Sequence, residues 1–176
     1  MPSFKPESIL AVLLAHEVEF VVIGGYGAVL QGAPYVTFDI DVTPRVTPDN
    51  LDRLSRALKK LNARVWAGGP DEEGLAFDHD AASLGDAKIW NLVTKFGRLD
   101  VTFEPSGTTG YDDLHRDAIT ITVGKSRLPV ASLADIVRSK EAADRDKDRR
   151  FLPVLREILA KESENRRVGK RRPSQS

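Results

Sequence analysis

The sequence predicts an α+β domain, a mixed sheet flanked by helices and closed by a C-terminal helical pair. Three observations carry this. Strand-like alternation recurs in "YVTFDIDVTP" and in "AKIWNLVTKFGRLDVTFEP", where residues two apart share a face. Helical apolar spacing separates these runs, as in Leu51, Leu54, Leu58 and Leu61, so strands and helices are interspersed along the chain. The last third, "SLADIVRSKEAADRDKDRRFLPVLREILA", resumes helical spacing twice with a charged break between.

In chain order, Ile9, Leu10, Leu13 and Leu14 form the apolar face of a first helix. "VEFVVI" is a buried strand that runs into Gly24 and Gly25, and a short helix is expected over Tyr26 to Gln31. In "YVTFDIDVTP" the alternation sends Val36, Phe38, Ile40 and Val42 one way, and Thr37, Asp39, Asp41 and Thr43 the other. Thr47 and Pro48 are a good N-cap and first-turn pair for the leucine-striped helix that follows. "ARVWA" reads as a strand and "GGPDEEG" as a polar loop, with "FDHDAASLGD" expected to form a mobile loop over the cleft. Two strands turned at Phe96-Gly97 come next, the second pointing Leu99, Val101 and Phe103 inward and Asp100, Thr102 and Glu104 outward. "YDDLHRDA" is a short helix and "ITITVGKSRLPV" a strand pair turned at Gly124; Ser132 and Asp135 then mark the start of the helical pair.

The 176 residues suffice for one domain, with 41% hydrophobic and 30% charged residues, a balance too polar for a membrane span. No basic start or cleavage site precedes the first helix, so no signal peptide and a cytoplasmic location are expected. The chain has no cysteine, which excludes disulfides, thiolate metal sites and cysteine nucleophiles. Arg166, Arg167, Lys170, Arg171 and Arg172 crowd the end. The expected division is therefore a domain over 1–162 and a basic, unstructured tail over 163–176, serving either solubility or nonspecific contact with RNA phosphates.

Function is written in the carboxylates. Asp39 and Asp41, locked on one strand face, repel each other unless a cation lies between them, and Mg²⁺, with Mn²⁺ as the alternative, binds such a pair together with substrate phosphate oxygens. Asp100 on a later strand permits a second ion, and Gly24-Gly25 lets a phosphate approach backbone N–H groups. The glycine spacing does not fit a dinucleotide fingerprint, and no Gly-Lys-Ser/Thr exists for a Walker loop. "DIDVT" also matches the Asp-x-Asp-x-Thr motif of haloacid-dehalogenase-like phosphatases, but that motif normally opens the first strand and is followed by a Gly-Asp-Gly loop absent here. The bland alternative is that the aspartates solubilise an edge strand. The three histidines, His16, His79 and His115, have no mutual spacing and read as surface residues.

Gly24-Gly25, Asp39-x-Asp41 and Asp100 resemble the nucleotidyltransferase fold of the DNA polymerase beta superfamily, most closely AbiEii-like and MenT-like toxin nucleotidyltransferases, over about Val18 to Leu159. The resemblance implies that the lysine of "SKEAADRDKD", Lys140, contacts phosphate, and that the Lys147-Asp148 pair lines the nucleotide cleft, with Asp148 the late acidic residue of the site. It implies an NTP substrate, Asp39, Asp41 and Asp100 as metal ligands, an acceptor at the tRNA 3′ end and an antitoxin partner. Protein AMPylation, antibiotic modification and a catalytically silent antitoxin or binding module remain as alternatives.

Overall fold

The computed structural model describes residues 3–69 and 73–170. Seven strands form one sheet in the order β3-β4-β5-β2-β1-β7-β6: β1 (Phe20–Ile23), β2 (Asp39–Pro44), β3 (Arg64–Val65), β4 (Ile89–Thr94), β5 (Gly97–Thr102), β6 (Ile119–Val123) and β7 (Ser126–Val130). The β2–β5 and β1–β7 pairs are parallel and the rest antiparallel, so the sheet is mixed as expected.

Helices α1 (Pro6–Ala15) and α3 (Pro48–Lys60) cover one face of the sheet. Ile9, Leu10, Leu13, Leu51, Leu54 and Leu58 pack there on Phe20, Val22, Ile40, Val42, Leu99 and Val101. The alternation that gives these residues to the core gives Asp41 and Asp100 to the other face. Thr47 caps α3 by accepting from the Asn50 backbone N–H at 3.3 Å. The fully buried Asn50 side chain exchanges hydrogen bonds with the Glu19 backbone and donates to the Arg45 carbonyl, pinning the helix to the β1–β2 end.

On the opposite face α2 (Gly24–Val29), α5 (Tyr111–Arg116), α6 (Leu133–Ala143) and the first half of α7 (Asp146–Lys170) enclose a second core around Val21, Ile23, Leu114, Ile136, Leu152 and Leu155. Ser132 caps α6 by accepting from the Asp135 N–H. Asp144, at φ +48°, takes the left-handed turn that folds α7 back on α6.

Several expectations change. The second strand begins at Asp39 rather than Tyr35, leaving Val36 and Phe38 76% and 72% exposed. The reason is pairing: β1 ends at Ile23, opposite Asp41, and β5 begins opposite Asp39, so residues 35–38 have no neighbouring ladder. "ARVWA" contributes only a two-residue strand. The segment expected as a mobile loop over the cleft instead holds α4 (Ala81–Gly85), capped by Asp80, and packs on α3 through Leu84, on the sheet face away from Asp41 and Asp100. His79 is buried against the Ser55 hydroxyl at 2.9 Å, so it is not a surface residue. Residues 163–170 continue α7 instead of forming an unstructured tail, because Lys161–Glu157 and Arg166–Glu162 pairs at helical spacing support an exposed helix without apolar packing. Arg171 and Arg172 lie outside the described residues. No helix among those described is long and apolar enough to cross a membrane.

Candidate functional site

A cavity of about 940 Å³ opens over the sheet face that α1 and α3 leave free. Gly24, Gly25, Asp39, Asp41, Asp100 and Lys140 all line it. Asp41 and Asp100 are direct partners in the parallel β2–β5 register, and Ile23, just before the glycine pair, stands opposite Asp41 on the other side. Three neighbouring strands thus bring Gly24, Asp41 and Asp100 to one level.

The glycine requirement is steric as well as conformational. Gly24 has φ +66°, and a Cβ there would collide with the Asp41 carboxylate. A Cβ at Gly25 would come within 2.9 Å of the Thr37 methyl. These glycines start α2, so they admit an anion to the free N–H groups of a helix beginning beside the carboxylates.

Crowding shows in the protonation equilibria. Burial, with the Asp39 and Asp100 charges adding to it, pushes Asp41 up to about 7. Asp100 is pushed up to about 6, mainly by burial, with Arg98 opposing and Asp39 reinforcing. Arg98 reaches Asp100 at 3.4 Å and stacks its guanidinium 3.6 Å from the Trp66 ring centre. Among the described residues no three acidic or imidazole groups form a compact cluster for a metal ion. The carboxylates make an open, hard-oxygen donor set instead, which suits an ion completing its shell with substrate oxygens and water.

Across the cavity, α6, the turn after it and the start of α7 present Lys140, Arg145 and Lys147 in that order. Lys140 is no solvated surface cation: its side chain is 12% exposed and its Nζ donates to Asp148 at 3.2 Å. Asp148 is wholly buried and also accepts from Arg145 at 2.7 Å. Burial alone would raise its pKa, but Arg145 and Lys140 hold it below the usual carboxylate range. Asp148 itself does not line the cavity; it anchors two cations that do. Tyr35 completes this wall, packed on Phe151 with ring centres 4.3 Å apart. Its buried hydroxyl has no partner among the described residues, and burial followed by the Asp148 charge pushes it up to about 12.

Of the residues singled out in the sequence, the three aspartates, the two glycines and Lys140 line the cavity, and so do Arg98, Trp66, Tyr35 and Arg145, which were not expected there. Arg98 had a usable signal, since it precedes Asp100 by two residues and so shares its strand face. Tyr35 and Trp66 had none, because both belong to the cavity only through tertiary placement. None of the three histidines lines it.

No family model and no curated protein matches this sequence. Solved structures do. A Thermotoga maritima protein assigned as a nucleotidyltransferase superposes with TM-score 0.51 at 16% identity, covering 91% of this chain and 97% of its own. A lincosamide antibiotic adenylyltransferase with lincomycin bound gives TM-score 0.57 at 15% identity, over 89% of this chain and 99% of that one. The antibiotic-resistance factor ANT(2'')-Ia gives 0.56 at 15% identity, over 94% and 88%. The chain therefore has the nucleotidyltransferase fold, and the haloacid-dehalogenase reading of "DIDVT" falls with it.

Proposed function

We propose that the protein is a divalent-metal-dependent nucleotidyltransferase, which moves a nucleoside monophosphate from an NTP to an acceptor hydroxyl and releases pyrophosphate. The observation that carries this reading is the level at which Gly24, directly after β1, meets Asp41 on β2 and Asp100 on β5, with Asp39 beside them, on a fold shared with nucleotidyltransferases.

Asp39, Asp41 and Asp100 would hold Mg²⁺ or Mn²⁺: they offer hard oxygen donors whose repulsion a cation would relieve. When bound, the metal neutralises charge on the triphosphate and stabilises the charge that develops in transfer. The chain's own groups do the rest. Gly24 and Gly25 let phosphate oxygens reach backbone N–H donors, while Lys140, held by Asp148, offsets triphosphate charge together with Arg145 and Lys147. Asp100 takes the acceptor's proton as its oxygen bonds to the α-phosphorus. The bond from that phosphorus to the β-bridging oxygen breaks, and pyrophosphate departs with the electron pair.

The acceptor favoured by the sequence resemblance is the tRNA 3′ end, with the protein acting as the toxin of a toxin–antitoxin pair in the cytoplasm. The antibiotic adenylyltransferase relatives by fold supply the second reading, a small hydroxyl compound as acceptor. Incubation with each α-labelled NTP, Mg²⁺, and either total RNA, total protein, an aminoglycoside or lincomycin separates them. Label in the tRNA fraction is the expected result. The absence of transfer to any acceptor from any NTP would overturn the reading.

A further inference from the structure

The sheet has two edges, and the chain treats them differently. At one end β3 is two residues long, and Leu75 bridges Val65 through a reciprocal pair of 2.8 Å backbone bonds, so little free ladder is left there. At the other end β6, "ITITV", has no strand outside it among the described residues. It pairs one to one with β7 and carries no charge, no proline and no bulge, the devices that ordinarily blunt an exposed edge. No residue from Asp117 to Lys125 lines the cavity, so this surface is separate from the proposed active site.

The hairpin register decides which backbone groups remain free. A two-residue turn, Gly124-Lys125, closes on Val123 and Ser126, so the alternating ladder commits Ile119, Ile121 and Val123 to β7 and turns the N–H and C=O groups of Thr120 and Thr122 outward. Pro129 agrees with this. It has no N–H to donate, and it stands opposite Thr120.

We propose that β6 of a second copy occupies this edge, paired antiparallel about Ile121. The stretch from Asp117 to Lys125 is complementary to its own reverse. Pairing about Ile121 sets Thr120 of each copy opposite Thr122 of the other, so outward donors meet outward acceptors. It sets Ile119, 38% exposed in the single chain, opposite Val123, and Ile121 opposite itself. At both ends it sets Asp117 opposite Lys125. Asp117 is exposed and held by its sequence neighbour Arg116 at 3.4 Å, while Lys125 is exposed and has no ion pair among the described residues. A slip of one residue would oppose outward groups to inward ones, and a slip of two would draw Asp117 away from Lys125. A foreign peptide strand would need no such self-complementarity. The two-fold axis of the pair is perpendicular to the sheet, so the doubled sheet keeps both cavities on one side.

The test uses the full chain in sedimentation and light scattering across the micromolar range, where a concentration-dependent dimer is expected. Thr122→Pro removes an outward N–H that β7 does not use, so it should weaken the dimer at least about tenfold and leave the melting temperature of the dilute chain unchanged. Lys125→Glu should weaken it severalfold by facing Asp117 with a like charge, and adding Asp117→Lys should restore it. The chain has no cysteine, so Thr120→Cys and Thr122→Cys report the register. Mixed under mild oxidation they should cross-link more than either does alone, since opposed residues lie about 5.5 Å apart, within disulfide reach. A chain that stays monomeric throughout overturns the proposal. So does a dimer indifferent to Thr122→Pro and to the charge exchange, or one in which the two cysteine variants cross-link no better mixed than alone. Should Thr122→Pro lower the melting temperature, the charge exchange and the cross-linking decide instead.

Discussion

Replacing Asp41 by asparagine should stabilise the metal-free protein while abolishing transfer. The Asp41 carboxyl moves from an ordinary value of 3.8 to about 7 on folding, a difference of about three. At about 1.4 kcal/mol for each, the ceiling on the cost of keeping this group ionised is about 4 kcal/mol. Asp41 borders an open cavity, and the asparagine amide needs partners of its own, so about 1–2 kcal/mol should be recovered. For a chain of this length that is an increase in melting temperature of about 2–8 °C. The sign follows from linkage. The folded state holds this proton more tightly than the unfolded one, so the contribution to stability is complete below pH 4 and is lost as pH rises through 7. Wild-type protein in chelator should therefore lose stability between about pH 4 and pH 7, and Asp41→Asn should flatten that decline. Mg²⁺ should raise the melting temperature of the wild type and do little for the variant. Thermal melts across pH, with chelator and with Mg²⁺, measure all of this. Parallel pH profiles for the two proteins, or a less stable variant at pH 8, would refute the claim that Asp41 is held against its own charge.

Lys140→Ala should lower stability by about 1–3 kcal/mol as well as weaken NTP use, because it leaves buried Asp148 with Arg145 alone; a surface lysine would show neither effect in denaturant titration and kinetics. Asp148→Ala should likewise destabilise the protein and raise the KM for NTP, and its effect should be non-additive with Lys140→Ala in a double-mutant cycle. Gly24→Ala should cost at least about 1 kcal/mol from its left-handed backbone, and it should reduce transfer further because the new methyl meets the Asp41 carboxylate; wild-type activity in this variant would exclude the close approach. Deleting the chain after Asn165 should leave melting and transfer to a small acceptor unchanged, since the lost residues are exposed where described. If Arg166, Arg167 and Lys170 meet RNA phosphates, the deletion should also flatten the salt dependence of RNA affinity by about 0.7 for each lost contact.

Local periodicity made most of the sheet readable. β4 and β5 form the expected hairpin, with its turn at Lys95-Phe96, one residue earlier than the alternation implied, and the capping residues Thr47 and Ser132 start their helices as their chemistry dictates. Errors arose where a local pattern lacked its tertiary partner. Tyr35 to Phe38 alternate as well as the residues after them, but a strand exists only where another strand supplies hydrogen bonds. The reverse happened at residues 163–170, where ion pairs at helical spacing prolong a helix whose composition suggested disorder.

The same division explains which half of the site was legible. Strand geometry projects residues two apart onto one face whatever the rest of the chain does, so Asp39 and Asp41 could be paired and Asp100 put on the polar face of its own strand, while its place beside them was an expectation from the family resemblance that the β2–β5 register meets. The cations answer to no such rule. Lys140 and Arg145 meet at Asp148 because the chain reverses at Asp144, and Arg98 meets the Trp66 ring because a two-residue edge strand brings Trp66 alongside β4 and β5. A buried Asp148 without ligand contact would be hard to justify if the lysine and arginine needed no fixed position, since desolvating a carboxylate is costly. Its burial makes sense as the means of fixing two flexible side chains at the cavity wall, where the proposed reaction would place a triphosphate, so the residue on which that wall depends is one that does not itself line the cavity.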